Sequence, residues 1–339
     1  MTVYILILLL IVFANIVSGN ARNKKVDSIL IVFLTLILVS IQGLRSFNVG
    51  VDLQTYQYYF NNQIDLSFFP IQSEVLYSLL NNFISSLGLS FRFFLFIVSI
   101  IVIVPVTYSS YKYSKMPFLS VFVFVTIGFF GFSLSGLAQA IAIGITLLSI
   151  IFVKSRKPLY FVFLIIIAGL FHKSAFLGIF IYPIFYWKIS KTIVPFVLFG
   201  IVLTYLLRKP IFDFLYVFYD SSYTPTDTNS YGFLFFLLIL WIGSMIWFKN
   251  IRGTDTAGFT NLLLVAVYIQ IFATYHPFVM RLGYYYYVYL IFLIPEFLST
   301  FRRKNTRTLI EIIFIITFGA YFVLNLLENV MRIYPFTFL

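Results

Sequence analysis

The chain has 339 residues, of which 61% are hydrophobic and 10% charged, with a formal net charge of +12 and no cysteine. That balance cannot cover a water-soluble surface, so the bilayer has to act as solvent. The lack of cysteine excludes a disulfide framework and a thiolate metal site, and a basic charge spread over short loops leaves nucleic acid without a footprint.

Twelve apolar runs follow in chain order, at about 2–19, 27–44, 91–110, 117–134, 136–153, 158–171, 174–187, 192–207, 231–248, 259–275, 283–299 and 308–327, each near the length a helix needs to cross the hydrocarbon. The expected fold is an all-α polytopic bundle of about twelve transmembrane helices forming one transmembrane domain over 1–339. The first run lacks a basic n-region and a small-residue cleavage site, so it is expected to be the first span rather than a signal peptide. The sixth and seventh runs are short and are split only by Phe171-His172-Lys173-Ser174.

Basic residues fall on alternate connections. Arg22 to Lys25, Lys112 and Lys115, Lys154 to Lys157, Lys188 and Lys191, Lys249 and Arg252, and Arg302 to Arg307 form one set. The other set holds Arg45, Arg92, Lys173, Arg208, Lys209, Arg281 and Arg332, together with Asp52, Asp65, Glu74, Asp213, Asp220, Asp227 and Glu328. Because Lys and Arg accumulate on cytoplasmic loops, the second set and both termini are expected outside the cytoplasm.

Two connections on that side are long. The first, 45–90, contains Glu74-Val75-Leu76-Tyr77-Ser78-Leu79-Leu80-Asn81-Asn82-Phe83-Ile84, whose spacing predicts an amphipathic helix suited to the interface. The second, 208–230, carries Pro210 and Pro225 with Asp213, Asp220 and Asp227, and reads as turns around a short apolar segment. Long loops in a compact bundle are commonly functional.

After the second run comes Arg45-Ser46-Phe47-Asn48-Val49-Gly50-Val51-Asp52, followed by Tyr56 and Phe60. Ser135-Gly136-Leu137-Ala138-Gln139-Ala140, Phe171-His172-Lys173-Ser174-Ala175 and Arg281-Leu282-Gly283-Tyr284-Tyr285 follow in order. With these four motifs the chain resembles the EpsG-type branch of the Wzy polysaccharide polymerases, which join lipid-linked oligosaccharide repeats outside the bacterial cytoplasmic membrane. The resemblance spans most of the chain and implies a fold broadly like lipid-dependent, GT-C-like glycosyltransferases. It also implies no cofactor, an undecaprenyl-diphosphate-linked oligosaccharide as substrate, a membrane-lipid environment, and a chain-length regulator protein as a partner. The product would be an O-antigen or a capsule. One departure stands out: similar proteins carry Arg where this chain has Ala138, so either this branch lacks the residue or an Arg has been exchanged for Ala.

The residues that carry chemistry each have two readings. Arg45 and Arg281 sit at span ends, where a guanidinium either binds diphosphate oxygens bidentately or snorkels to the interface. His172 is either a general base or a helix-end cap. Asp52 either takes a proton from an acceptor hydroxyl or pairs with an Arg to fix its loop, and Gly50 permits the turn that presents it. Gln139, Tyr56, His276 and Tyr284 are expected to contact substrate, with rings near Arg281 stacking on sugars. Arg45, Asp52, His172 and Arg281 are expected to converge with position 138 on one outward-facing cavity. No Gly-rich phosphate loop or carboxylate cluster for a metal occurs. A glycan ligase and a transporter of the same lipid are the alternative classes. The transporter would need polar residues across the midplane and repeated halves.

Overall fold

The computed structural model describes residues 1–21, 23–62, 74–216, 230–247 and 254–338. Arg22, Asp65, Asp220, Pro225, Asp227, Lys249 and Arg252 lie outside the described residues. The helices run α1 (Thr2–Ala21), α2 (Lys24–Leu44), α3 (Leu53–Asn62), α4 (Val75–Ser86), α5 (Phe91–Tyr113), α6 (Pro117–Thr126), α7 (Phe129–Ser133), α8 (Leu137–Leu148), α9 (Ile150–Lys154) and α10 (Pro158–Phe171). They continue as α11 (Ile181–Phe185), α12 (Val194–Tyr216), α13 (Tyr231–Ile246), α14 (Asp255–Ala273), α15 (Pro277–Tyr287), α16 (Leu290–Ser299) and α17 (Lys304–Glu328). Among the described residues there is no strand, only an isolated antiparallel bridge between Arg45 and Phe338.

Among the described residues seven helices are long and apolar enough to cross a membrane: Thr2–Gly19, Lys24–Leu44, Phe91–Tyr113, Leu137–Lys154, Val194–Phe214, Asp255–Ala273 and Lys304–Glu328. Phe278–Tyr287 and Leu290–Ser299 meet at 41° and make an eighth if the bent pair is one span. The remaining apolar runs form the shorter helices Pro117–Thr126, Pro158–Phe171, Lys173–Phe185 and Tyr231–Ile246. Counting apolar runs thus overstates the uninterrupted spans, because hydropathy does not register breaks in the backbone ladder. The fourth run breaks where Gly128 takes φ 89°, a left-handed conformation that glycine adopts without steric cost. The sixth and seventh part at His172, the extended C-cap of α10, after which a 3₁₀ segment Lys173–Phe180 leads into α11.

Both long connections also differ from expectation. The amphipathic helix predicted over 74–84 is present as α4, burying Tyr77, Asn81 and Ile84 and exposing Val75, Leu79 and Phe83. Ahead of it stands α3, which the sequence does not announce. The segment read as turns from Arg208 is instead helical through Tyr216, with Pro210 inside α12. Pro210 removes one ladder donor, and just ahead of it Arg208 donates from Nη1 to the Tyr205 carbonyl at 2.7 Å.

The chain divides into two compact units, Met1–Ile179 with Ile294–Leu339, and Phe180–Leu293. In the first, α5 packs against α2, α6 and α8, while α6 meets α1 and α17 and α8 meets α10. α6 and most of α8 are apolar around the whole circumference and fully buried, as expected of central helices. In the second unit α14 is the hub, touching α11, α12, α13 and α15.

Contacts within the first unit sort its ends into two groups. Tyr4 at the start of α1 donates to the Ile333 carbonyl beyond α17, and Ser46 beyond α2 donates to the Thr337 carbonyl. At the other end Tyr111 donates to the Lys24 carbonyl, and the Lys154 ammonium lies 5.5 Å from the Tyr113 ring centroid. This is the grouping that the alternation of basic loops gives.

The connection from α2 to α3 is held by close backbone approach. Gly50 has φ 115°, and a Cβ there would lie 2.3 Å from the Leu134 carbonyl oxygen. Gly50→Ala is therefore expected to destabilise the fold by at least the ~1–3 kcal/mol of such backbone strain. Thermal unfolding of the detergent-solubilised protein measures this, and an unchanged midpoint would mean that the loop does not sit against Leu134.

Candidate functional site

The site grows from the break between α7 and α8. The Ser133 and Leu134 carbonyls at this break have to be satisfied inside the protein. Gln42 Nε2 donates to the Ser133 carbonyl at 2.8 Å, and Arg45 Nη2 donates to the Leu134 carbonyl at 3.0 Å. Arg45 also donates to the Gln42 carbonyl of its own helix, and Arg92 Nη1 reaches the Gly43 and Arg45 carbonyls at 2.9 and 3.2 Å. Two guanidinium groups thus cap the end of α2. Arg45 is 0% exposed, so the structure uses it to hold backbone rather than presenting it at a surface.

Asp52 is tied to the same break. Its backbone N–H donates to Ser135 Oγ at 3.1 Å, and Ser135 Oγ donates to Asp52 Oδ2 at 3.2 Å. The Val49-Gly50-Val51-Asp52 and Ser135-Gly136 motifs, distant in sequence, are therefore in direct contact. One turn into α3, Tyr56 packs edge-on against Tyr77 of α4 with ring centroids 5.5 Å apart.

Glu74, immediately before α4, meets His172: Nε2 lies 3.3 Å from Glu74 Oε1. On the other side of the ring, Nδ1 accepts from the Ser174 backbone N–H at 3.3 Å and lies 2.7 Å from Ser174 Oγ. An accepting Nδ1 places the imidazole proton on Nε2, facing the carboxyl group. Gln139 Nε2 donates to Ser174 Oγ at 3.4 Å, which returns the chain of contacts to α8.

The result is a circuit around the start of α8: Asp52 to Ser135, along the backbone to Gln139, then Ser174, His172 and Glu74, and back through Tyr77 and Tyr56. Ala138 lies inside the arc between Ser135 and Gln139 and is 0% exposed. The His172 and Glu74 side chains are 25% and 13% exposed, so neither is fully sealed off. Ser135, Glu74 and Ser174 are members of this circuit that the sequence does not single out. Glu74 was legible only as the start of an amphipathic helix, and Ser174 only as a letter of the His172 motif.

The other expected residues belong to the second unit. His276 is the N-cap of α15: Nδ1 accepts from the Phe278 N–H at 3.3 Å, and the ring stacks on Phe212 at 5.1 Å. Burial lowers its pKa, in keeping with a neutral ring that accepts at Nδ1. The Arg281 guanidinium lies 5.7 Å from the Phe278 ring centroid. Tyr284, Tyr285, Tyr286 and Tyr287 are all buried, and Tyr284 packs on Tyr287 at 4.7 Å, so these rings serve the core of this structure. At the end of α12, Lys209 lies over Tyr275 at 5.3 Å, and Tyr275 donates to Asp213 Oδ1 at 3.1 Å. The structure thus brings Arg45, Asp52, Tyr56, position 138, Gln139 and His172 together within one unit, with Arg281, His276 and Tyr284 in the other.

Burial raises the pKa of Glu74 from 4.5 to about 7, since the fold favours the uncharged carboxyl group. The stability it contributes is complete below about pH 4.5 and is lost as pH rises through about 7. The thermal midpoint of the detergent-solubilised protein should therefore fall between about pH 5 and pH 8, and Glu74→Gln should flatten that fall. Parallel profiles for the two proteins would remove Glu74 as its source.

A sequence profile of the EpsG family matches residues 28–338. No curated protein and no solved structure gives a significant match to the chain.

Proposed function

The chain belongs to the EpsG family, which is linked to exopolysaccharide biosynthesis, and from that premise we propose that it is a polymerase of lipid-linked oligosaccharide repeats. In this reading it transfers a growing glycan from undecaprenyl diphosphate to the non-reducing end of a second lipid-linked repeat, at the outer face of the bacterial cytoplasmic membrane. The observation that carries the proposal is the Glu74–His172 pair, joined through Ser174 to Gln139 and built from residues of separate motifs.

The chemistry asks for one base and a stabilised leaving group. An acceptor hydroxyl loses its proton to the Glu74–His172 pair as its oxygen bonds to the anomeric carbon of the donor glycan. The bond from that carbon to the diphosphate breaks, and undecaprenyl diphosphate leaves. A carboxyl group that titrates near neutrality suits this role, because a base is most effective when its pKa lies close to the working pH. Asp52, fixed by Ser135, orients the loop beside the pair. The diphosphate contact falls to Arg281 on motif resemblance, a guanidinium being suited to bidentate phosphate binding.

Two measurements test the reading. Glycan made in cells that lack their own polymerase should form a ladder of repeats, and Glu74→Gln should reduce it by about 10²–10⁴, the usual contribution of a positioned base. Wild-type rate should rise with pH through about 7 and the variant should lose that limb. An undiminished ladder from Glu74→Gln would overturn the assignment of the base, and transfer to a lipid A core acceptor without any ladder would replace the polymerase by a ligase. Orientation is tested separately, since the chain has no native cysteine. A cysteine at Ser86 should react in intact cells with a membrane-impermeant thiol reagent, and one at Lys304 should not. The opposite pattern would put the Glu74–His172 pair on the cytoplasmic side.

A further inference from the structure

We propose that Asn329–Phe338 form a strap that positions the loop carrying Asp52, with Tyr4 and Asn329 as the positioning side chains. The inference rests on the reading that this loop belongs to the reactive site.

Three of the loop's backbone donors go to the strap. Ser46 N donates to the Thr337 carbonyl at 2.8 Å, Gly50 N to the Arg332 carbonyl at 2.9 Å, and Val51 N to the Met331 carbonyl at 3.0 Å. Phe338 adds the isolated bridge to Arg45. These bonds fix the backbone directly ahead of Asp52, whose N–H and carboxylate both have to meet Ser135. A loop freed of them has to find water for the same donors, and the geometry at Asp52 is no longer imposed.

The strap is held independently of the loop. Asn329 ends α17 in the left-handed conformation, at φ 50°. Its Oδ1 accepts from the Tyr334 N–H at 2.9 Å and its Nδ2 donates to the Tyr334 carbonyl, which closes residues 329–334 into a compact turn. Tyr4, fully buried between the Phe322 and Phe336 rings, donates to the Ile333 carbonyl at 2.8 Å. Ile333 in turn lies against Gly131 of α7, where a Cβ would come within 2.8 Å of its Cδ1. The strap is thus anchored on α1, α7 and α17 and offers its free carbonyls to the loop.

The test uses a cysteine at Val51 in the otherwise cysteine-free full chain, with a cysteine at Ser86 as a control outside the strap's reach. Three changes are compared: truncation after Val330, Asn329→Gly, which keeps the left-handed backbone but removes both side-chain bonds, and Tyr4→Phe. Asn329→Gly should raise the thiol reaction rate at position 51 by about tenfold, the effect of losing one or two net hydrogen bonds, and leave the rate at Ser86→Cys unchanged. Tyr4→Phe should raise it less. Truncation should raise it most and reduce the glycan ladder, and adding a peptide of residues 329–338 should restore both. Unchanged reactivity at position 51 in Asn329→Gly and in Tyr4→Phe overturns the strap, even if the truncated chain fails to fold. Faster reaction at position 51 with a full ladder overturns the positioning role. A wild-type protein that makes no ladder fails the polymerase reading alone, because the thiol rates still decide whether the strap exists.

Discussion

The first unit depends on how two carbonyls are satisfied. Ending α7 at Ser133 and restarting at Leu137 leaves backbone acceptors buried inside the protein away from water, and an unmade hydrogen bond there costs several kcal/mol by order of magnitude. Gln42 and Arg45 reach across from α2 to take them. That choice fixes the end of α2 beside the break and draws the following loop against it, so closely that Gly50 has no room for a side chain. The placement of Asp52 follows from it. A helix that ran uninterrupted through this point would need neither the buried guanidinium nor the loop, and no site would form at the start of α8.

The circuit around α8 explains why residues with little individual character act together. Ser135, Gln139 and Ser174 are neutral, yet they connect the Glu74–His172 pair to the Asp52 loop. α4 adds a physical constraint of its own. One face buries Tyr77, Asn81 and Ile84, while Val75, Leu79 and Phe83 face outward, the arrangement of a helix resting in an interface. Its first turn starts at Glu74. Glu74 is itself largely buried in the protein, and that burial is what raises its pKa to about 7.

Hydropathy made the all-α membrane character and the amphipathic α4 readable, because both are statements about where apolar atoms lie. It did not register every break: the fourth and eleventh runs carry the same apolarity on either side of Gly128 and the bend after Tyr287. α3 stayed hidden because Leu53-Gln54-Thr55-Tyr56-Gln57-Tyr58-Tyr59 mixes polar and aromatic residues without a clean period. The motifs named Asp52, His172 and Gln139 as candidates, but their partners Ser135, Glu74 and Ser174 are fixed by tertiary contact, Glu74 lying on an element far from His172 in sequence. Arg45 was legible as a span-end cation and not as a helix cap, since its role depends on two carbonyls supplied by another part of the chain. Nothing in Asn329–Phe338 resembles a regular element, and its importance comes only from the donors it meets.

Position 138 could act on Glu74 through charge only if it carried one. In a site this poorly hydrated, an Arg at position 138 would be a buried ion that needs partners for its donors, as Arg45 has in the Gln42 and Leu134 carbonyls, because the desolvation of an unpaired charge costs several kcal/mol by order of magnitude. A guanidinium within about 4–6 Å of a carboxyl group depresses its pKa. The shift of Glu74 has burial as its cause and runs upward to about 7, the behaviour of a carboxyl group without a dominant cation beside it. With a small apolar side chain buried in the first turn of α8, no charge enters there, and the raised pKa of Glu74 is left to burial alone. An arginine at this position that came within reach of Glu74 would gain charge stabilisation for an anionic group at the expense of that raised pKa. The identity of residue 138 and the proton affinity of the Glu74–His172 pair are therefore expected to be set together.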